Sequence, residues 1–338
     1  MRLVILFVLL GSWPAVQANG QVACRSLPRA QDELWLISCR GLGCGDVQQQ
    51  TSNLQFWRYD RERSWVRADL PELLAGDNPN VITTIFAHGN RISRDEAFTK
   101  AWNVYRKLVQ CPDERPVRFI AWSWPSEAVR GPINDARVKA CRTDPAGYQL
   151  GWFVDQLSPD VPVSLWAHSF GARVVTGALH LLGGGTVNGH HLAERKHTMR
   201  PPMQVALLAA AIDSDWLLPG HWHGKAYSQM AGLLLVNNGG DALLKRYHLI
   251  YNRRGCQQAL GYTGLSNWHL PSADWAKTNQ IEASGYVGRR HILDNYLQSP
   301  ELVARMRDQL LRAPTEQSKT AGSELAVADD ADLQLPSE

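Results

Sequence analysis

The stretch SLWAHSFGARVV (164–175) takes the chain from strand to helix across a single sharp turn. Residues 161–166 (VPVSLW) are strand formers, and Gly171–Leu182 carry a helical apolar pattern. Only residues 167–170 lie between them. Small residues flank the apex, Ala167 two before Ser169 and Gly171 two after, where larger side chains would collide with strand and helix backbone. Small-x-Ser-x-Gly in a strand–turn–helix is the pattern of a nucleophile elbow. The pentapeptide is short, so an inert turn serine is the alternative reading.

The rest of the chain supplies the context such an elbow needs. ELWLISCR (33–40), LQFWRY (54–59), VITTIFAHGN (81–90), PVRFIAWSWPS (116–126), MQVALLAAAID (203–213) and the apolar centre of AGLLLVNNGGDALLKRY (231–247) read as strands. SWVRADL pairs with the second of these. DEAFTKAWNVYRKLVQ carries a helical face, and 135–157 a longer helical pattern that Pro145 and Gly147 are expected to break. Strands alternating with helices argue for an α/β domain with a mostly parallel, doubly wound sheet and helices on both faces. The breaker-rich loops 183–202 and 252–280 are candidates for shaping a pocket.

The 338 residues suffice for one large domain, and a net charge of +3 without Lys/Arg runs gives no nucleic-acid surface. Most of the 13 Trp are expected in the core or lining a cleft. Arg2, the apolar run Leu3–Leu10 and small residues ending at Ala18 read as a secretory signal peptide, cleaved after Ala18. The apolar run is too short for a comfortable membrane span, so no stable span is expected after cleavage. Residues 314–338, with six carboxylates and one Lys, read as an acidic disordered tail, leaving 19–313 as the domain. Six cysteines fit an exported chain. The expected pairs are Cys39–Cys44 and Cys111–Cys141, with Cys24 reaching Cys256 or remaining free.

A serine hydroxyl is a poor nucleophile until a base takes its proton and a third group orients that base. In doubly wound sheets the reacting groups gather at the carboxyl ends of strands. After Ser169, Asp213 and Asp215 follow one strand, Asp241 follows the next, and His291 opens the final helix. Asp241 in GGDALL also reads as a helix N-cap, which leaves Asp213 as the alternative acid. His291 also reads as a surface histidine. His168 is a poor base, because neighbours at a tight elbow point in different directions. His190-His191 and His221/His223 lie on loops without nearby carboxylates, so no metal is expected.

The order Ser169…Asp241…His291 matches the α/β-hydrolases. The chain resembles that superfamily, and within it a bacterial subset catalogued as a domain of unknown function. The resemblance rests on FAHGN (86–90), WSWPSE (122–127), AHSFG (167–171), AAAIDSD (209–215), VNNGGDAL (236–243) and HILDNYL (291–297), and covers roughly 81–297. It implies Ser169 as nucleophile, His291 as general base and Asp241 as orienting acid, with no cofactor. The N–H groups of Phe170 and Asn90 would form the oxyanion hole, although relatives commonly carry an aromatic residue where Asn90 stands. His88, Gly89 and His168 would order the site, and Trp122 or Trp124 would wall the pocket. The implied activity is a serine hydrolase of small-molecule or lipid esters, acting through an acyl-enzyme. An amidase or peptidase on the same fold, or a non-catalytic binding protein, is the alternative.

Overall fold

Aliphatic and β-branched runs without polar alternation, such as ITTIFA, become strands buried on both faces. The computed structural model describes residues 27–41, 54–110, 115–193, 195–197, 199–250, 257–266 and 270–311. Among them, β1 (Glu33–Ser38), β2 (Gln55–Asp60), β3 (Ser64–Ala68), β4 (Ile82–Ala87), β5 (Val117–Ser123), β6 (Val163–His168), β7 (Met203–Leu208), β8 (Met230–Asn237) and β9 (Thr278–Glu282) form one sheet. Its spatial order is β3-β2-β1-β5-β4-β6-β7-β8-β9. The β1–β2–β3 meander is antiparallel. From β1 onward through β5, β4 and β6 to β9 every pair is parallel.

Local chemistry starts the helices. Asp69 caps α1 (Leu70–Ala75), and Ser93 with Glu96 forms a capping box on α2 (Arg94–Tyr105). After β4 the chain moves to β5 on one side; after β6 it moves to β7 on the other. The crevice beyond the carboxyl ends of β4 and β6 is thus the topological switch point, where open α/β sheets hold their ligands. This sheet, with a strand–turn–helix at Ser169, is the α/β-hydrolase fold.

The structure corrects several expectations. Helix α3 runs unbroken from Pro132 to Gln156, with Pro145 inside it. Tertiary packing overrides the local signal here: a Cβ at Gly147 would lie 3.1 Å from Val174 O, and one at Gly151 3.3 Å from Ala178 O. The two glycines therefore let α3 lie directly on the backbone of α4 (Gly171–Leu182), a contact that accompanies its continuation past the proline. The stretch after β8 closes into a 3-10 turn, Leu244–Ile250, rather than an α-helix. The loop-rich segment 252–280 delivers the edge strand β9, whose polar TNQIE sequence hides its strand character.

Cys39 is a free, fully buried thiol, so the Cys39–Cys44 bridge is not formed. It prolongs β1, its N–H donating to Ser123 O at 2.9 Å, and this line directs Sγ inward. Burial pushes the thiol up to about 12. Cys141 is disulfide-bonded. Cys24, Cys44, Cys111 and Cys256 lie outside the described residues, as do the signal segment and the acidic tail.

Two glycines of α4 give a matched test. A Cβ at Gly171 would press into the carbonyl oxygens of Ala87 and His88, the latter 2.7 Å away, whereas one at Gly177 meets only the His223 ring at 3.6 Å. Gly171→Ala is expected to lower stability by about 3 kcal/mol or more. Gly177→Ala should be neutral or stabilising, by about 0.5–1 kcal/mol, from the helix preference for alanine. Denaturant midpoints of the two variants check this.

Candidate active site

Ser169 sits at the apex between β6 and α4 with φ 56°, in the left-handed region that costs a non-glycine residue about 1–3 kcal/mol. The turn is held from two sides. Ser169 N–H donates to Leu208 O at 3.0 Å, and its carbonyl accepts from Ala172 N–H at 3.0 Å and Ala211 N–H at 3.1 Å. The side chain is thereby aimed at the 291 loop. Ser169 Oγ lies 2.7 Å from His291 Nε2, and His291 Nδ1 lies 2.6 Å from Asp241 Oδ2.

Asp241 uses its two oxygens separately. Oδ1 accepts from the N–H groups of Leu243 (2.8 Å) and Leu244 (3.0 Å), capping the 3-10 turn, while Oδ2 faces the imidazole. Burial pushes this carboxyl up, but the His291 contact and the two N–H bonds outweigh it and hold it below its ordinary range. An ionised carboxylate only accepts. His291 Nδ1–H is therefore the donor to Asp241, which leaves Nε2 free to accept the Ser169 proton. Asp213 is engaged elsewhere, accepting from the Tyr247 hydroxyl at 2.7 Å.

The tautomers of His168 and His88 follow from their partners. His168 Nε2 lies 2.7 Å from the His291 carbonyl, which only accepts, so His168 donates there and fixes the backbone beneath the His291 ring. Burial and the neighbouring His291 lower its pKa to about 3. His88 Nε2 faces the Arg40 guanidinium at 3.2 Å and must accept, so its Nδ1–H donates to Gly89 O at 2.9 Å. Burial and Arg40 lower its pKa to about 3 as well. Gly89 is required by close approach, since a Cβ there would stand 2.8 Å from His168 Nδ1.

The loop 88–92 after β4 is held from three directions. Trp124 Nε1 donates to His88 O at 2.7 Å, and Arg91 N–H to Ser126 O at 2.8 Å. Asn90 Nδ2 donates to Asp135 at 2.9 Å. Burial pushes Asp135 up, but Lys139, Val129 N–H, Arg91 and Asn90 outweigh it and bring it down to about 2. Neither the Phe170 nor the Asn90 N–H has a backbone acceptor among the described residues. Trp122 and Trp124 do not wall the pocket. Both are fully buried, Trp122 against Phe153 and Trp124 stacked on His88. The WSWPS segment passes behind the loop and anchors it instead.

A cavity of about 720 Å³ opens over Ser169 and His291. Its walls come from the start of α3 (Ile133, Ala136) and from the 3-10 turn (Leu243, Leu244, Leu249, Ile250). No residue of 183–202 or 252–280 lines it among the described residues, which corrects that expectation. Residues 258–264 instead pack behind the site, on the backbone of Ala210–Ser214 and Asn238, whereas α3 and the Asp241 turn open onto the cavity. No group of three potential metal ligands occurs among the described residues.

Three contributors escape motif reading. Arg40, just past β1, bonds Ser123 Oγ (2.7 Å), Ile92 O (3.0 Å), His88 and Glu127, tying β5 to the loop. Asp135 is the second. Asn238 Nδ2 donates to Gly288 O at 2.9 Å, holding the loop that carries His291 against the end of β8. Only VNNGGD offered a sequence signal, and only for Asn238.

Two neutral buried histidines make the fold acid-labile. Their folded pKa values lie near 3, below the ordinary value of 6.5, so between these limits the unfolded chain binds protons that the folded chain refuses. Stability from these sites is complete above about pH 6.5 and is lost as pH falls toward about 3, at roughly 1.4 kcal/mol per pH unit for each unmatched proton. Urea midpoints measured from pH 7 to 4 should fall accordingly, and His168→Gln should flatten the slope.

No family model matches the chain, and a search of curated proteins gives no match. Solved structures give fold-level likenesses. One is esterase B from Lactobacillus rhamnosis, inhibited by a C4-C4 SN3 tributyrin phosphonate. It is 12% identical with TM-score 0.38, over 89% of this chain and 90% of that one. The same esterase with a C6-C4 SN3 inhibitor is 12% identical with TM-score 0.35, over 91% and 93%. An iodinated complex of acetyl xylan esterase is 14% identical with TM-score 0.29, over 60% and 82%.

Proposed function

We propose that this chain is a serine hydrolase of carboxylic esters within the α/β-hydrolase superfamily. The observation that carries this reading is the continuous chain of hydrogen-bond distances from Ser169 Oγ through His291 to Asp241. The apolar cavity above it supports an acyl group as the bound portion of substrate.

In this reading Ser169 Oγ attacks the ester carbonyl carbon as its proton passes to His291 Nε2. Negative charge collects on the carbonyl oxygen, beside the N–H groups of Phe170 and Asn90. Collapse of the tetrahedral intermediate breaks the bond to the alcohol oxygen, which leaves with the proton held by His291. An acyl-Ser169 remains. Water then attacks it, giving its proton to His291, and the carboxylic acid departs as Ser169 regains its hydrogen. Asp241 holds the Nδ1–H tautomer throughout and stabilises the imidazolium formed in each half-reaction.

We also propose export after cleavage near Ala18, with 19–313 as the domain and 314–338 as its tail. The Cys141 disulfide supports an oxidising compartment. Among the described residues no helix is long and apolar enough to cross a membrane.

A fluorophosphonate should label the full chain and fail to label Ser169→Ala. On acyl-nitrophenyl esters, Asp241→Asn should lower kcat by about 10⁴, as loss of the correct tautomer does in other triads. Asp213→Asn should have a much smaller effect. The reverse ranking would reassign the acid, and turnover of amides in preference to esters would favour an amidase.

Arg40 is proposed as a positioning residue for the oxyanion side of the site. Arg40→Met removes the donor to His88 Nε2 and frees the 88–92 loop. It should lower kcat by about 10²–10³, the range seen on losing one oxyanion donor. KM should change little, and the rate of fluorophosphonate labelling should fall in parallel. A loss confined to KM or to thermal stability would make Arg40 purely structural.

A further inference from the structure

The mouth of the cavity has a surface unlike the rest of the molecule. Ile133, Leu243 and Leu249 stand on its lip with 47%, 57% and 47% of their area exposed, and Ile292, next to His291, has 63% exposed. These four supply half of the eight large apolar side chains exposed among the described residues. Bulky aliphatics left in water around a pocket mark an interaction surface rather than a solvated rim.

The charge around them has one sign. Arg91, Arg130, Arg137, Lys245, Arg246, Arg289 and Arg290 are exposed and lie on the segments that build the mouth. Arg91 and Arg246 line the cavity, and Arg289 O accepts from Ala242 N–H, beside Leu243. On segments 130–137, 242–250 and 289–292 the only carboxylate is Asp135, which is 1% exposed and bonded to Lys139. Further out, Asp294 pairs with Lys100, Glu127 with Arg40, Glu96 caps α2 and Glu282 holds Gly239, while Asp95 stands exposed on the first turn of α2. An apolar centre within a cationic border fits a bilayer of anionic phospholipid, aliphatics entering the acyl boundary and cations meeting the phosphates.

We propose that this mouth docks onto anionic lipid surfaces, so that the cavity takes its acyl substrate directly from the membrane. The apolar lip is continuous with the apolar cavity walls through Leu243 and Leu249. A lipid ester entering this way keeps its chain out of water until the ester bond reaches Ser169. The substrate class rests on the hydrolase reading; the docking itself does not.

The test therefore separates binding from turnover. Full-length Ser169→Ala protein is sedimented with vesicles of phosphatidylcholine alone or mixed equally with phosphatidylglycerol. Preferential binding to the mixed vesicles, weakened by 0.5 M NaCl, is expected. A variant combining Lys245→Glu, Arg289→Glu and Arg290→Glu, none of which lines the cavity, should lose vesicle affinity by about a hundredfold or more. In the Ser169 background this variant should hydrolyse a soluble short-chain nitrophenyl ester at the unaltered rate, which also reports its folding. Equal binding to both vesicle types, salt-independent binding, or a stable dimer that buries the lip would overturn the proposal. Vesicle binding without ester turnover would leave docking intact and overturn the hydrolase reading instead.

Discussion

Everything at the site depends on how closely α4 begins against the end of β4. Gly171 rests on the carbonyl oxygens of Ala87 and His88, at a separation that no other residue type tolerates. That single contact sets two things together: the left-handed turn that raises Ser169, and the direction in which the chain leaves β4 toward Asn90. Ser169 and the loop carrying Asn90 are thus two ends of one backbone junction, and the strain at Ser169 is sustained by packing on both sides.

Beyond this junction, the site economises on polar groups. Asp241 spends one oxygen on its own turn and one on His291, so the same carboxylate that shapes the cavity wall orients the imidazole. His168 and His88 are held neutral by burial and by the neighbouring His291 and Arg40, while their hydrogen-bond partners decide which nitrogen carries the proton. A charged imidazolium at either place would be buried beside Arg40 or His291. Of the three rings, His291 is the one in direct contact with Ser169 Oγ.

What the sequence made legible was local or ordered along the chain. The Ser169 turn is written in a dozen consecutive residues, and the Ser169, Asp241 and His291 order follows from successive strand ends. What it hid arrives through sheet neighbours distant in sequence. Arg40 reaches His88 because β1 lies beside β5, which no local pattern announces. Asp135 meets Asn90 only because α3 begins over the switch point. Pro145 and Gly147 read as helix breakers, although in the fold Gly147 is one of the close contacts by which α3 packs on α4. Trp122 and Trp124 sit at a strand end suited to a pocket wall, yet α3 claims that ground and leaves them inside.

The placement of β1 bears on how such a domain can be divided. The motifs that carry the resemblance begin near position 81, which invites treating 27–80 as an accessory segment. The sheet forbids that division. β1 is an interior strand, hydrogen-bonded on one side to β2 and on the other to β5, and it ends in the guanidinium that braces His88. A chain starting at β4 would open the flank of β5 to water and to other strands, a ready edge for self-association. The amino-terminal meander and the half that carries Ser169 are consequently one folding unit, joined through the β1–β5 pairing.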